Sequence, residues 1–590
     1  MIKKIKNTNK ILNRSRINWS NIIFFVIIVL AFFLRFYNLS NVPPSASLDE
    51  ASIGWNAYSI IKTGEDEYGN KFPLLLRAYD DWRPALYVYL VAPFVQIFNL
   101  NVFAVRLPSV ILSVLTVVAT YFLVKELFRQ EVKSQSFDKL RTKVNPSADG
   151  QNSNNQNPRR SLEIGNWKLE IPIIAAALLA ISPWHIYISR LGHEANAGLA
   201  FFIFGVLFFL KKKIPISFIF FVLSFASYQA EKIFLPIFLI GLFFIFRKEL
   251  LAIKSQVIIS AIIAFIILLP FFVETLQSNA LIRFKATSIF NGSQERYESQ
   301  AQLFARAVEN NDFFGKIIYN RRLVPIQIFS ESYISHFNPK WLFTNPSSDR
   351  HKVPNLGLLY LFDGPLILFG LLYLFSKQFN YKIRMLILFW ILASPLPAAI
   401  TTDAPHAMRA YTMLPMPQLL GAIGAMYVFN LLKNKIILLS VSAINLSIIT
   451  LSVAYMFRQY FYVFPKEQSA SFQYALSKAI PFVLDNNKSY DKIVFSNQDN
   501  LYQSYMFFLF YSKYDPHLYQ KQGGTKSGGF AETHRFGKYE FRPIGWEKDN
   551  KEKKEMYIGN IYEFPENFPI LKRINSLDEK EEIRIAVTSE

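Results

Sequence analysis

Two adjacent carboxylates, Asp49 and Glu50, lie in the stretch NVPPSASLDEASIGWNAY at residues 41–58, shortly after the first strongly apolar segment of the chain. A carboxylate that is accompanied by cationic side chains can act as a general base. The same pair, preceded by a serine, is also typical of the N-terminus of a helix that starts near Ala51. Taken alone, the pair is consistent with either role.

Other polar side chains interrupt or flank the apolar segments at four further places. Arginine and lysine suit a phosphate or pyrophosphate through charge-assisted hydrogen bonds, and polar groups at membrane-helix ends are functional candidates when they converge. Together with a carboxylate, they predict a site where a hydroxyl attacks an activated carbon and a phosphate departs. The side chains are Arg83 in DDWRPALY, Arg190, His193 and Glu194 in SPWHIYISRLGHEAN, Tyr228 and Lys232 in YQAEKIFLP, and His406 and Arg409 in TTDAPHAMRAY.

Simpler explanations exist for some of these groups. The stretch that starts at His193 begins like the zinc-binding pattern HExxH, but residue 197 is alanine, so the second histidine of that pattern is absent. His406 and Arg409 could be ordinary loop residues that pair with Asp403. Single groups are therefore weak indications, and their common location on one side of a membrane is the stronger reason to expect a site.

The composition indicates a membrane protein with several spans. The chain has 590 residues, of which 52% are hydrophobic, and its apolar residues form blocks long enough for membrane helices. The net charge of +21 comes mainly from lysines and arginines in short segments between these blocks, a pattern that sets membrane orientation, so we expect no nucleic-acid partner. Because the chain has no cysteine, it has neither disulfides nor thiolate metal sites.

These blocks predict about eleven membrane helices in a domain that covers residues 1–457. The basic residues before the first block favour a cytoplasmic N-terminus, as in an integral protein of a bacterial-type plasma membrane. The block RPALYVYLVAPFVQIFNL is short and broken by Pro93, so we interpret it as a juxtamembrane segment. The predicted spans are 21–39, 106–128, 171–188, 197–211, 214–228, 232–247, 255–272, 354–376, 384–400, 411–431 and 435–457.

Four regions outside the spans follow from this topology. Residues 40–105 form a first outer loop with juxtamembrane helices, and residues 273–353 form a second, larger outer loop. Residues 129–168 form a cytoplasmic loop, which is predicted to be disordered because NPSADGQNSNNQNPRR is polar and low in complexity. Residues 458–590 contain the strand-like runs DKIVFSN, KYEFRPIGW, MYIGNIYEF and IRIAV, and predict a small extracytoplasmic mixed α/β domain.

The order of these features resembles the GT-C superfamily of membrane glycosyltransferases. Within it, the chain is similar to bacterial relatives of dolichyl-phosphate-mannose:protein mannosyltransferase and of the lipid A aminoarabinose transferase. The resemblance covers roughly residues 20–430, and the stretch WRPALY departs from the common His-Pro-Pro-Leu of the family at Arg83 and Ala85. It rests on the segments LRFYNLS, LDEASIGWNAYSIIKTGEDEYG, WRPALYVYL, RLPSVILSVLTVVATYFLVKELF, ISPWHIYISRLGHEAN and PHAMRAYTMLPMPQLLGAIG.

The resemblance implies a transferase that uses a polyprenyl-phosphate-linked sugar at the outer face of the membrane. The first-loop acid of the family corresponds to Asp49, with Glu50 beside it, and the second-loop acid corresponds to Glu194. We expect the acceptor hydroxyl to belong to a protein, a glycolipid or a polysaccharide. No cofactor is required for this chemistry, although a divalent metal shared by Glu194 with Glu50 or His193 is left open.

From this resemblance we expect a role for each of the candidate side chains and inversion of configuration at the anomeric carbon of the sugar. Asp49 is the general base, and Glu50 and Glu194 assist catalysis. The donor phosphate is expected to contact Arg190, Lys232, His406 and Arg409, and the substrate pocket is expected to include Arg83, His193 and Tyr228.

Two other classes of protein share some of these features. A transporter or flippase of a phosphorylated or glycosylated lipid would also have many helices and a cationic pocket. It needs access from both faces, so its polar residues should continue through the spans, whereas here they cluster at the outer ends. A structural membrane scaffold would not require acids and cations to meet on one face.

Overall fold

The computed structural model describes residues 19–79, 81–144, 170–277, 288–290, 294–344, 351–376, 379–529, 532–545, 554–565 and 568–588. The basic N-terminal segment and the NPSADGQNSNNQNPRR stretch lie outside the described residues. The helix that starts at Val102 continues to Val144, so residues 129–144 are helical and not part of a disordered loop. Residues 125–143 contain no glycine or proline, and Pro146 follows, which explains why the helix extends that far.

Long apolar helices dominate the first 458 residues. Six of the described helices are long and apolar enough to cross a membrane, and a pair bent by 56° adds a seventh when it is counted as one span. Helices of this kind indicate an integral membrane protein. The six segments are Trp19–Phe36, Val102–Arg129, Lys254–Leu276, Tyr381–Ala399, Tyr411–Leu431 and Lys435–Glu467, and the bent pair is Ile171–Ile181 with Pro183–Ser189.

We number the helices and strands in chain order. Short 3-10 and π-helical turns are not numbered. The elements of the first half are α1 (Trp19–Phe36), α2 (Leu48–Thr63), β1 (Leu75–Ala78), β2 (Asp81–Pro84), α3 (Leu86–Phe98), α4 (Val102–Val144), α5 (Ile171–Ile181), α6 (Pro183–Ser189), α7 (Glu194–Leu210), α8 (Ile214–Phe225), α9 (Glu231–Ile245), α10 (Arg247–Ala252) and α11 (Lys254–Gln277).

The second half contains the remaining helices and the larger sheet. Its elements are α12 (Gln294–Glu309), α13 (Phe313–Ile318), α14 (Val324–Ser335), α15 (Asp363–Leu374), α16 (Tyr381–Ala393), α17 (Leu396–Ala399), α18 (Met416–Leu431), α19 (Lys435–Arg458), α20 (Phe464–Glu467), α21 (Tyr474–Asn486), β3 (Lys492–Phe495), α22 (Ser504–Ser512), α23 (Pro516–Lys521), β4 (His534–Phe536), β5 (Tyr539–Phe541), β6 (Glu555–Gly559), β7 (Ile570–Asn575) and β8 (Glu581–Val587).

Between the first two candidate spans lie helix α2, the β1–β2 hairpin and helix α3. Helix α2 begins with a capping box, in which Ser47 accepts from the N–H of Glu50 while the Glu50 carboxylate accepts from the N–H of Ser47. The helix ends at Gly64, whose φ of 75° is accessible to glycine at low cost. Helix α3 has 13 residues, too few for a full membrane span.

The C-terminal residues form a six-stranded sheet in the order β4-β5-β3-β6-β8-β7, in which β3 runs parallel to both β5 and β6. Strands β3, β5, β6 and β8 coincide with the four strand-like runs of the sequence. A small cluster around Val494 and Tyr557 lies within the sheet region, and the larger core of this region is shared with the first loop. Its helix α22 packs together with α2 and α3, and the Trp55 indole N–H donates to the carbonyl of Tyr514 at 3.3 Å.

A buried carboxyl also joins the two regions. Glu67, which follows α2, accepts from Asn56 Nδ2 at 3.1 Å, from the Tyr505 hydroxyl at 3.0 Å and from Thr525 Oγ1 at 2.9 Å. Tyr505 and Thr525 belong to the C-terminal region. Burial raises the pKa of Glu67 to about 7, against the lowering effect of these hydrogen bonds. The first loop and the sheet region are therefore connected by polar as well as apolar contacts.

Candidate active site

Asp49 in the first turn of α2 pairs with Arg83 on strand β2. Arg83 Nη2 lies 2.6 Å from Asp49 Oδ1, and Arg83 Nε donates to Asp81 Oδ2 at 3.1 Å. The Asp49 side chain is 35% exposed, whereas that of Arg83 is only 12% exposed. The guanidinium is thus held between two carboxylates, and Asp49 presents its free edge to the site.

The β1–β2 hairpin is what brings Arg83 to Asp49. Its strands pair in antiparallel register, with Ala78 opposite Asp81 and Leu76 opposite Arg83. The side-chain amide of Gln229, in the turn before α9, donates to the carbonyl of Trp82 and ties the hairpin to the membrane helices. The position of Arg83 is therefore fixed from both sides.

These neighbours set the ionisation of Asp49. Burial alone would raise the pKa of the Asp49 carboxyl, but the Arg83 guanidinium, with a further contribution from His193, outweighs burial and lowers the pKa below the usual aspartate value. Asp49 is consequently a carboxylate at neutral pH, which is the form that can accept a proton.

Glu50, next to Asp49, faces the opposite way into the protein. Its carboxylate makes a bidentate pair with Arg106 at 2.7 and 3.0 Å, and it accepts from the N–H of Gly192 at 2.7 Å and of Ser47 at 2.8 Å. Only 1% of its side chain is exposed. Burial would raise the pKa of Glu50, but Arg106 and the two backbone N–H groups lower it. The structure thus places Glu50 outside the exposed part of the site and makes it a positioning group.

His193 and Glu194 lie at the start of α7, beside Asp49. The N–H of Ala195 donates to His193 Nδ1 at 3.1 Å, so the neutral ring carries its proton on Nε2. That Nε2 lies 3.9 Å from Asp49 Oδ2, and Nδ1 lies 3.5 Å from Glu194 Oε2. The ring of Tyr228 contacts His193 at 5.6 Å between centroids. The structure therefore brings these predicted residues together.

His406 and Arg409 approach the same region from the loop before α18. Arg409 Nη1 donates to Thr401 Oγ1 at 2.7 Å and to the carbonyl of Thr402 at 2.8 Å. The guanidinium also interacts electrostatically with Tyr228, whose ring meets that of His193 edge to face. Arg409 donates both of these hydrogen bonds through the same nitrogen, Nη1, and the residue is partly buried.

His406 is a neutral donor in this arrangement. Its Nδ1 accepts from the N–H of Arg409 at 3.3 Å, so Nε2 carries the ring proton. Burial, followed by the charges of His351 and Arg409, lowers the pKa of His406 to about 2. His406 can therefore offer an N–H to an anion but not a positive charge at neutral pH.

Two further predicted phosphate contacts have partners within the protein. Arg190 is fully buried and donates to the carbonyls of Arg35 and Val42, both at 2.7 Å, while its guanidinium lies over the ring of Phe461, 4.7 Å from the centroid. It thereby contacts the end of α1. Lys232 interacts electrostatically with Glu274 on α11.

Sequence reasoning missed two residues of the site. Arg106 is fully buried and carries the pair with Glu50, and an arginine inside an apolar block is the signal that could have identified it. His351 lies within electrostatic range of both Asp49 and His406, and its ring centroid is 5.3 Å from that of His406. It occurs in a polar loop with no pattern around it, so the sequence offered no signal.

Among the described residues, no three His, Asp or Glu side chains form a group that could hold a metal ion. In the trio of Asp49, His193 and Glu194, His193 Nδ1 already accepts a backbone N–H.

No family model matches the sequence, and no curated protein matches it. Solved structures do resemble it. ArnT from Cupriavidus metallidurans bound to undecaprenyl phosphate aligns with a TM-score of 0.52 at 9% identity, over 98% of this chain and 99% of that chain. An oligosaccharyltransferase from Archaeoglobus fulgidus, in complex with zinc and sulfate, aligns with a TM-score of 0.42 at 14% identity, over 83% of this chain and 61% of that chain.

The first of these likenesses concerns the fold, since 9% identity does not carry residue roles. It extends over nearly the full length of both chains. The resemblance to the lipid A aminoarabinose transferase that the sequence predicted is thereby confirmed at the level of the fold: the chain has the overall architecture of ArnT.

Proposed function

We propose that this protein transfers a sugar from a polyprenyl-phosphate-linked donor to an acceptor hydroxyl at the outer face of the membrane. The observation that carries the proposal is the exposed carboxylate of Asp49, held ionised by Arg83 and bordered by His193. The likeness in fold to a protein that was solved with undecaprenyl phosphate supports a polyprenyl carrier.

The proposed step is a single displacement. Asp49 accepts the proton of the acceptor hydroxyl while that oxygen attacks the anomeric carbon of the donor. The bond between this carbon and the phosphate oxygen breaks, and the polyprenyl phosphate leaves with the bonding electrons. The configuration at the carbon is inverted. Because phosphate is already a good leaving group, no strong general acid is needed, and nearby donors have only to stabilise its charge.

Arg409 and His406 are the groups that we assign to the leaving phosphate. Arg409 supplies a permanent positive charge and His406 a neutral N–H, and both side chains enter from the same loop. Arg190 and Lys232 are less suited to this role because the first is fully buried and already donates to backbone carbonyls, and the second interacts with Glu274. Glu194, 3.5 Å from His193, is proposed to orient the acceptor through that ring.

We also propose the topology that this reaction requires. In this topology the chain crosses the membrane eleven times. The crossings are the seven candidate spans and four more apolar helices, at the predicted spans 197–211, 214–228, 232–247 and 354–376. The N-terminus is cytoplasmic, and the C-terminal domain at 458–590 is extracytoplasmic. Because the chain has no cysteine, a single Lys71→Cys substitution in the first loop gives a unique label site. An impermeant maleimide should label it from outside intact cells. Labelling only after the cells are opened would contradict the topology.

The reaction is tested with purified protein in liposomes, a panel of polyprenyl-phosphate-linked sugars and envelope extracts as the source of acceptors. Mass spectrometry should detect free polyprenyl phosphate together with an acceptor that has gained one sugar. Transport of an intact lipid-linked sugar across the bilayer, without any such product, would instead support a flippase.

A further inference from the structure

Helix α13 presents an apolar surface that no described part of the chain covers. Phe313, Phe314, Ile317 and Ile318 follow the i, i+1, i+4, i+5 spacing of one helical face. The two phenylalanines are 69% and 72% exposed, and the two isoleucines are about half exposed. Gly315 on the other side of the helix is buried against Ala307 and Asp312, so the helix is fixed in this orientation. We call these four residues the α13 apolar face.

Three basic residues lie on α13 or shortly after it in the sequence. Residues 313–330 contain Lys316, Arg321 and Arg322 and no acidic residue, while Asp312 and Glu331 flank this range. The Lys316 ammonium donates to Asn311 Oδ1 at 3.2 Å, and the Arg321 guanidinium lies 5.6 Å from the centroid of the Tyr297 ring. Long basic side chains beside an apolar face are typical of segments that lie at a membrane surface, where their charged ends reach anionic headgroups.

The next helix, α14, connects this surface to a candidate membrane span. The Tyr333 hydroxyl of α14 donates to the carbonyl of Leu392, near the end of the span Tyr381–Ala399, at 2.7 Å. Ile334 on α14 and Leu392 on the span are both exposed. The apolar surface of α14 therefore continues that of a helix which lipid must cover.

From this placement we infer that the α13 apolar face lies on the outer leaflet of the surrounding membrane. Its aromatic and aliphatic side chains enter the boundary between headgroups and acyl chains, and Lys316, Arg321 and Arg322 bind the headgroups of anionic phospholipids. Lipid is favoured over a protein partner because the surface continues into a lipid-exposed helix and its segment carries three basic residues.

This attachment has a consequence for the candidate active site. Helix α14 ends at Ser335. The next residue, His336, accepts a hydrogen bond at its Nε2 from the backbone N–H of His406, at 3.2 Å. If α13 is held at the membrane surface, the segment from α13 to His336 is anchored at its N-terminal end. This anchoring would keep His336, at the C-terminal end of the segment, against the loop that carries His406. The inference rests on the proposed topology, which puts residues 273–353 at the outer face, but it does not depend on sugar transfer.

Depth measurements on the full-length protein in liposomes test the inference. A nitroxide on Phe314→Cys is compared with the same label on Leu439→Cys in candidate span α19, and on Tyr562→Cys in the C-terminal region, two positions that are also highly exposed. We expect the ratio of oxygen to polar-reagent collisions at Phe314 to be several-fold higher than at Tyr562 and lower than at Leu439. A ratio equal to that at Tyr562, or a label shielded from both reagents as in a protein interface, overturns the inference.

The headgroup contribution is tested by adding phosphatidylglycerol to phosphatidylcholine liposomes. We expect the ratio at Phe314 to rise with the anionic lipid and the rise to be lost in the Arg321→Gln, Arg322→Gln variant. The matched control is Arg573→Gln, which removes an exposed arginine from the C-terminal sheet and should leave the rise intact. No response to phosphatidylglycerol, or an equal loss in the control, overturns the assignment of anionic lipid.

Discussion

Glu50 and Arg106 form a bidentate ion pair whose two side chains are almost completely buried. Arg106 also donates to the carbonyls of Leu39, Pro43 and Ser45, and Glu50 accepts the N–H of Gly192. The pair thus connects the chain after α1, the first turn of α2, helix α4 and the segment before α7. Asp49 is the neighbour of Glu50 and His193 is the neighbour of Gly192, so the distance between Asp49 and His193 depends on this ion pair and its hydrogen bonds.

Replacing Glu50 by glutamine should destabilise the protein and disrupt the site together. Removing one member of a buried pair leaves an uncompensated charge and typically costs about 3–5 kcal/mol. We expect a lower unfolding temperature of the purified protein and reduced transfer activity. Glu65→Gln, a substitution in the same loop but away from Arg106, is the matched control. Equal stability of the two variants would show that the ion pair does not hold the loop.

Replacing Asp49 by asparagine should greatly slow transfer while leaving the fold intact. General-base catalysis contributes about 10²–10⁴-fold to a rate, so we expect a loss in kcat of at least about 10². Asp81→Asn is the control, because Asp81 also contacts Arg83 but is proposed to take no proton. Full activity of Asp49→Asn, or an equally large loss in Asp81→Asn, would remove the base assignment.

The pH dependence of kcat/KM should reflect the pKa of Asp49, which the charge of Arg83 lowers. The active form of Asp49 is the carboxylate, so activity is present above its pKa and is lost as the pH falls through it. Because Arg83 lowers that pKa, the acid limb should lie below the usual aspartate range. Arg83→Gln should move the limb to higher pH, and Arg83→Lys should move it less. An acid limb that does not respond to the charge at position 83 would contradict this account.

Glu67 should make the contact between the first loop and the C-terminal region sensitive to pH. Its pKa is raised from an ordinary 4.5 to about 7, so the folded protein binds the proton more tightly than the unfolded chain. Its contribution to stability is present below pH 4.5 and is lost as the pH rises towards 7 and beyond. At about 1.4 kcal/mol per pKa unit, the loss amounts to about 3 kcal/mol.

Glu67→Gln keeps the shape of the side chain and cannot ionise. The unfolding temperature of this variant should therefore fall less steeply with pH than that of the unmodified protein between pH 4.5 and 7. Parallel curves for the two proteins would show that Glu67 does not titrate in this range.

Sequence alone could predict the parts of the fold that depend on local pattern. Long apolar blocks predicted the major spans, and alternating runs predicted β3, β5, β6 and β8. The helical continuation of α4 to Val144 was missed because the polar residues after Phe128 were grouped with the low-complexity stretch that follows. The shared core of the sheet and helix α2 was also missed, because contacts between residues about 450 positions apart leave no local pattern.

The candidate site could likewise be predicted only as far as local sequence pattern indicates it. Asp49, Arg83, His193 and Arg409 were identified by residue type and by the side of the membrane predicted for them, and the structure brings them into one region. The direction of a side chain could not be predicted. Asp49 and Glu50 are neighbours on one helical turn, yet one is exposed to the site and the other is buried against Arg106. The partners of Arg190 could not be predicted either, because they are backbone carbonyls from α1 and the chain that follows it.

The most direct test of the central claim is the anomeric configuration of the transferred sugar. Purified protein should convert a polyprenyl-phosphate sugar of defined configuration into a product of the opposite configuration, as resolved by NMR, and the Asp49→Asn protein should form it at least about 10²-fold more slowly. A product that retains the configuration, or equal yields from both proteins, would contradict direct displacement with Asp49 as the base.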